Sequence, residues 1–154
     1  MRYLRVCILL VPMLFCQVPV WAQDALNAKA DNIVGLYQSV QNGMPFRAKI
    51  EKVAEGVYAG RVVWMERERD AEGNLLLDAR NPDRQLRATP LNRVVLFKGL
   101  RHDARRGEWG GCKIYDPYRG IRAKLTARFD AEGRLGLKGS LMGFSETVYW
   151  NKVE

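Results

Sequence analysis

The chain has 154 residues, with 25 Lys and Arg against 17 Asp and Glu, a formal charge of +8, three cysteines and one histidine. Its length suits one domain with a single core. The charge excludes little, because magnitudes of about 2–8 are ordinary for a soluble small domain, but no run of five like charges marks a polyanion-binding tail.

The amino terminus reads MRYLRVCILLVPMLFCQVPVWAQDA. Arg2 and Arg5 give a basic start, residues 6–16 form an apolar stretch interrupted by Pro12, and Val20 and Ala22 place compact residues ahead of a cut. That layout is a secretory signal peptide cleaved after Ala22. Its apolar run is about half of the ~20 residues that a membrane span requires. Residues 1–22 are therefore expected to leave on export, and residues 23–154 to form one domain in the periplasm or outside the cell, with no transmembrane span. A lipoprotein cut before Cys16 is the weaker alternative, because Phe15 is too bulky for such a site. Cleavage leaves 23 basic and 17 acidic side chains, a charge of +6. It also removes Cys7 and Cys16, so Cys112 has no partner for an intrachain disulfide. A lone thiol of this kind is expected to be buried and inert, as a small hydrophobe.

Beyond the cut, Ala25, Leu26 and Ala28 allow a frayed helix or a loose lead. Period-two segments then follow one another: 32–39, 47–53, 57–66, 93–102, 108–115, 121–129, 134–141 and 145–153. The clearest is 121–129, where Ala123, Leu125, Ala127 and Phe129 alternate with Arg122, Lys124, Thr126 and Arg128, one face buried and one wet. Turn residues separate the segments. Ala54-Glu55-Gly56 suits a bulged hairpin, and Asp116-Pro117-Tyr118-Arg119-Gly120 supplies aspartate, proline and glycine where a tight turn uses them. Gly110 and Gly111 mark a bulge or a close approach by a neighbour. One short helix is expected over 81–87, with Asn81 as cap and Pro82 in its first turn.

Eight short strands joined by hairpins predict an all-β fold, an eight-stranded antiparallel up-and-down barrel, because closure removes exposed sheet edges. A sandwich is the alternative the alternation permits. One link breaks the regularity: residues 66–92 form a long polar loop after the third strand. Loops beyond about 15 residues are often lids or binding loops. Its leucines (Leu75, Leu76, Leu77, Leu86 and Leu91) predict packing on the domain, across one barrel mouth.

"NPDRQLRATPL", "LFKGL", "EWGGCKIYDPYRG", "IVGLYQ", "YAGRVVW" and "GFSETVYW" together resemble a bacterial family of secreted domains of unknown function, family 2147. The resemblance runs from about Ile33 to Val153 and implies a lipocalin-like (calycin-type) barrel, with no activity attached. Two departures stand out. Tyr37 occupies a position where the family often has a tryptophan, similar to the Gly-x-Trp with which lipocalins plug the closed barrel end; Tyr37 in that role fills less area, and its hydroxyl then needs a partner. Ala54 and Ala59 stand roughly where many relatives carry a cysteine pair.

No catalytic constellation is visible. His102 next to Asp103 is not a triad, which is defined in space. Pairing through the 103–107 turn sets His102 opposite about Glu108 and Cys112 opposite about Lys98, which argues against a Cys–His dyad. One histidine and one cysteine give no zinc site, and no loop pattern supports calcium. Nucleic acid is disfavoured, because "RAKLTAR" lacks stacking aromatics. No cofactor is expected.

Twelve aromatics in residues 23–154 can line or fill a barrel. Ligand sites are mainly apolar with a few orienting polar groups. The candidate wall and mouth residues are Tyr37, Trp64, Arg87, Trp109, Tyr115, Arg122, Phe129 and Trp150, with Lys113 as a further polar anchor. The expected function is binding of a small hydrophobic or anionic amphipathic ligand. The alternative is an envelope interaction module whose barrel is filled by side chains.

Overall fold

The computed structural model describes residues 20–153. The expected signal sequence lies outside the described residues up to position 19. Helix α1 (Val20–Ala28) leads through a 3-10 turn at Ala30–Ile33 into eight strands. These are β1 (Gly35–Gln41), β2 (Met44–Ala54), β3 (Val57–Met65), β4 (Val95–Asp103), β5 (Glu108–Asp116), β6 (Ile121–Phe129), β7 (Leu135–Leu141) and β8 (Phe144–Lys152). They close into an antiparallel barrel in sequence order, β1 returning to β8. The up-and-down barrel expected from the alternation is the observed fold, and the sandwich is not.

The first strand begins later than the pattern suggested. Val34 N–H donates to Asp31 O and Asn32 N–H to Lys29 O, so residues 30–33 wind into the 3-10 turn before the chain extends at Gly35. The helix expected over 81–87 contracts to one 3-10 turn, Arg84–Leu86, capped by Asp83, whose carboxylate accepts from Gln85 N–H. Asn81 does not cap it; its side chain is turned to Asp78 and to the Asp83 amide.

The β4–β5 hairpin is one residue out of the expected register: His102 faces Trp109 and Asp103 faces Glu108. Four residues, Ala104 to Gly107, make the turn, and Gly107 takes a left-handed φ of 59°. The next irregularity decides which side chains point inward. Between Trp109↔Ala127 and Cys112↔Leu125 the β5–β6 register shifts at Gly110-Gly111, where Gly111 has φ 84°. A bulge inserts an extra residue and reverses the alternation beyond it. Trp109, Cys112 and Ile114 therefore face inward with Ala127, Leu125 and Ala123, whereas Tyr115 pairs with Arg122 on the outer wall. Trp109 and Tyr115, which simple alternation groups on one face, lie on opposite faces.

The closed half of the barrel is solid. Tyr37, Tyr58, Leu100, Trp109 and Leu125 are fully buried. Trp109 and Phe129 meet edge to face with centroids 5.7 Å apart, and Trp150 packs on Tyr37 and Phe46 at 6.1 and 5.8 Å. Gly60 is glycine because the Phe97 ring fills the space beside it: a Cβ there would lie 2.4 Å from Phe97 Cζ.

The N-terminal segment seals this end. The Asn27 side chain acts as a peptide group: its Nδ2 donates to Phe129 O at 2.9 Å and its Oδ1 accepts from Phe129 N–H at 2.8 Å. His102 Nε2 lies 2.8 Å from Asn27 O, and Trp109 Nε1 donates to Ala30 O at 3.0 Å. The single histidine thus fastens helix to barrel. Tyr37 is buried here, its hydroxyl donating to Ile33 O at 2.8 Å. Burial raises its phenol well above the ordinary value.

Candidate functional site

At the opposite end the side chains no longer meet. The core is filled where large residues face one another, but Gly139, Ala123 and Ser39 contribute little volume to the mouth half. A cavity of about 570 Å³ results. Phe46, Leu96, Ile114, Leu137, Val148 and Trp150 form most of its apolar wall, and Val40, Ile121, Leu141, Met142 and Phe144 its rim. The volume falls within the range of roughly 300–1,000 Å³ typical of small-molecule sites.

The barrel seam lies along this cavity. The β1–β8 ladder consists of Tyr37↔Lys152 and Gln38↔Asn151, both toward the closed end. Nearer the mouth the Ser39 hydroxyl donates to Tyr149 O at 2.8 Å in place of a ladder bond. Ser39, Val40 and Gln41 on one side and Phe144 to Glu146 on the other then border the cavity.

The polar groups at the mouth are mutually engaged. Arg119, in the β5–β6 turn, donates to Glu146 on β8 at 2.7 Å and lies 3.7 Å from Asp116. The Glu146 hydrogen bond, then its charge, raises the guanidinium pKa further. Asp116 also accepts from Tyr118 and Arg119 N–H, forming the turn that its sequence predicts. Gly120 closes that turn with φ 68°, and a Cβ there would meet Arg80 O at 2.3 Å, so the glycine makes room for the long loop.

The long loop does not cover the mouth. Residues 66–92 contribute nothing to the wall of the cavity; Asp78 to Asn81 lie against the outside of β5 and its turn, and Leu91 packs on the core beside Phe46, Val62, Met65 and Leu96. Tyr115 donates from the outer wall to Asp78 at 2.6 Å, Asn81 donates to the other Asp78 oxygen at 2.6 Å, and Arg80 reaches Tyr118 O. Burial first, and then Asp78, raise the Tyr115 phenol, so it stays a proton donor. Leu91 packs against the core, but Leu75, Leu77 and Leu86 are exposed. Polar contacts around Asp78 and the packing of Leu91 hold the loop.

Of the eight side chains singled out in the sequence, Tyr115 and Trp150 border the cavity, Tyr115 from the outward-facing side of its strand. Tyr37, Trp109 and Phe129 belong to the solid half. Trp64 sits outside beneath the Arg47 guanidinium, 5.3 Å from its ring centroid. Arg87 is tied to Asn81 O within the loop, and Arg122 stacks over the outer Tyr115 ring. Lys113 points outward with its partner Lys124. The residues the sequence reading missed are the aliphatic wall, Arg119, Glu146 and the β7–β8 hairpin. The inward parity of Leu137 and Leu141 was legible; the distance from Arg119 to Glu146 across β7 was not.

Cys112 faces inward, half-buried, and burial pushes its thiol up to about 11. Among the described residues, no three His, Cys, Asp or Glu side chains converge as metal ligands. No helix among them is long and apolar enough to cross a membrane.

Residues 35–152 match the family described as "Uncharacterized protein conserved in bacteria", DUF2147. Among solved structures, the chain resembles protein HP1028 from the human pathogen Helicobacter pylori, which belongs to the lipocalin family. The TM-score is 0.61 at 20% sequence identity, over 79% of this chain and 83% of that one. At that identity the likeness is one of fold. Comparison with curated protein sequences gives no significant match. With the match covering all eight strands, the chain belongs to the DUF2147 family and folds as a lipocalin-like barrel.

Proposed function

We propose that the protein is an exported carrier that holds one small apolar molecule in the mouth half of its barrel. The observation that carries this reading is the cavity of about 570 Å³, walled by aliphatic and aromatic side chains above a solid floor. Evacuating such a wall to water is unfavourable, and burying apolar ligand surface recovers about 25 cal/mol per Å². The lipocalin-like fold supports the same reading by analogy of architecture.

The ligand's apolar body rests on Trp150, Leu137 and Ile114, and any polar end lies at the mouth. Arg119 is the cation among the wall residues, and Glu146 and Asp116 already neutralise it. This balance favours an uncharged end group over the anionic one; an anionic group would have to displace Glu146 from Arg119. The filled-barrel interaction module is the weaker reading, since filling stops halfway up the barrel.

Export rests on the basic start, the apolar stretch and the compact residues before Gln23. Amino-terminal sequencing of the protein recovered outside the cytoplasm is expected to begin at Gln23; a retained residue 1 would refute it. For the cavity, titration with an uncharged lipophilic fluorophore in vesicle-free buffer is expected to saturate at one probe per chain. Organic extraction of native protein and mass spectrometry would then identify the resident molecule. No saturable uptake and no extractable molecule would refute the carrier.

A further inference from the structure

Two hairpins at the open end use the same two-residue turn with different residues. Asn42-Gly43 links β1 to β2 at φ 50° and 73°, and Met142-Gly143 links β7 to β8 at φ 50° and 86°. Both first positions are left-handed, a conformation that Asn tolerates and other side chains resist. Met142 accepts that strain and gains no packing, being 89% exposed, with Phe144 beside it 83% exposed. Val40 and Leu141 extend the same apolar rim. A local rule broken at a solvent-facing tip, with no burial among the described residues to offset it, points to a contact outside the chain.

The neighbouring outer wall is basic. Lys113 and Lys124 stand directly opposite each other on β5 and β6, and Lys124 pairs in turn with Ser140 on β7. Like charges facing across strands are unfavourable, and neither lysine forms an ion pair among the described residues. Arg122 lies two residues nearer the mouth, exposed, stacked on Tyr115. Ser140 is two residues from Met142, so the lysines lie about 7 Å back from the tip at ~3.3 Å per residue. That is within a Debye length of about 10 Å, so the basic wall and the apolar tip would meet one surface together.

We infer that the β7–β8 hairpin tip is a docking element for a bilayer bearing anionic headgroups: Met142 and Phe144 enter the acyl boundary while Lys113, Lys124 and Arg122 face the headgroups. Charge complementarity favours this occupant over a second copy of the chain, whose own basic wall would repel it. The rim that docks is continuous with the cavity wall, so an apolar molecule would pass between bilayer and cavity without crossing water. The docking itself does not require that the cavity be occupied.

Co-sedimentation with vesicles of phosphatidylcholine alone, and of phosphatidylcholine mixed with phosphatidylglycerol, tests the inference. The expected result is binding to the mixed vesicles that weakens with salt. Met142→Asn and Phe144→Ser should each lower the affinity about ten-fold or more. Lys113→Gln and Lys124→Gln should each lower it about five-fold at low salt. Met142→Asn relieves the turn strain, so its thermal midpoint should hold or rise, and lost binding cannot be assigned to unfolding. No binding to the mixed vesicles, binding indifferent to both tip substitutions, or a tip-dependent dimer without vesicle binding would overturn it. Probe uptake in vesicle-free buffer, which tests the carrier reading, is expected to survive the lysine substitutions, so the two readings fail separately.

Discussion

The Tyr115 hydroxyl donates a 2.6 Å hydrogen bond to Asp78, joining the outer wall of the barrel to the middle of the long loop. Both residues are almost wholly buried, and Asn81 Nδ2 completes the Asp78 carboxylate at 2.6 Å. A segment that sequence length alone marks as a lid is thereby fastened to the side of the barrel.

Asp78→Ala leaves the Tyr115 hydroxyl and the Asn81 amide without their acceptor. Leaving such buried groups unpaired costs about 1.5–3 kcal/mol. Thermal unfolding should show that loss, and limited proteolysis should cut within 66–92 sooner than in wild type. Probe affinity should not change, because the loop is absent from the cavity wall. A large change in affinity would restore the loop as a gate.

Asn27→Ala removes both hydrogen bonds to the Phe129 backbone and the one to Gln23 O. With the Phe129 amide unpaired and its carbonyl left only the longer 3.3 Å bond from Gln23 Nε2, the loss should be about 1–3 kcal/mol. Hydrogen exchange is expected to report it, with protection lost at Phe129 and at the closed end and little altered at β7–β8.

The Cys112 thiol, raised by burial from 9.0 to about 11, should react slowly with iodoacetamide. Two units correspond to about 100-fold less thiolate near pH 8 than in an ordinary cysteine. The rate should climb through pH 10–11 and become ordinary in denaturant. Because folding favours the protonated thiol, its contribution to stability is intact below pH 9 and is lost as pH rises toward 11. Rapid labelling of folded protein at pH 7 would contradict this and mark the thiol as activated.

Most of the barrel was legible in the sequence, and particular residues show why the rest was not. Ala123, Leu125, Ala127 and Phe129 alternate without interruption, and β6 is the strand the pattern gives. β5 carries equally plain residues, yet Gly110-Gly111 reverse its parity, so Tyr115 lands outside and Trp109 inside. A glycine pair announces a bulge but not on which side of it the phase slips. His102 beside Asp103 at a strand end reads as a surface histidine, whereas it is half-buried against Trp109 and meets Asn27 O, a contact that depends on residues 75 apart. The cavity was hardest to see, because it is made by small side chains. Ser39, Ala123 and Gly139 carry no chemical signature, whereas the aromatics that do are mostly spent on filling the closed half.

Gly139 also gives the most direct test of the account. It lines the cavity from β7, its φ is not in the left-handed region, and a Cβ there would make near-ordinary contacts of 3.4 Å with Ala123 Cβ and 3.7 Å with Ile114 Cγ2. Gly139→Phe should therefore place a ring in the cavity with the barrel intact. The decisive measurement is the lipophilic-probe titration of wild type and Gly139→Phe, with circular dichroism and thermal midpoints compared. The carrier account predicts saturable one-to-one uptake by wild type and a loss of at least about ten-fold in the folded variant. Equal uptake by both proteins, or none by wild type, would contradict it.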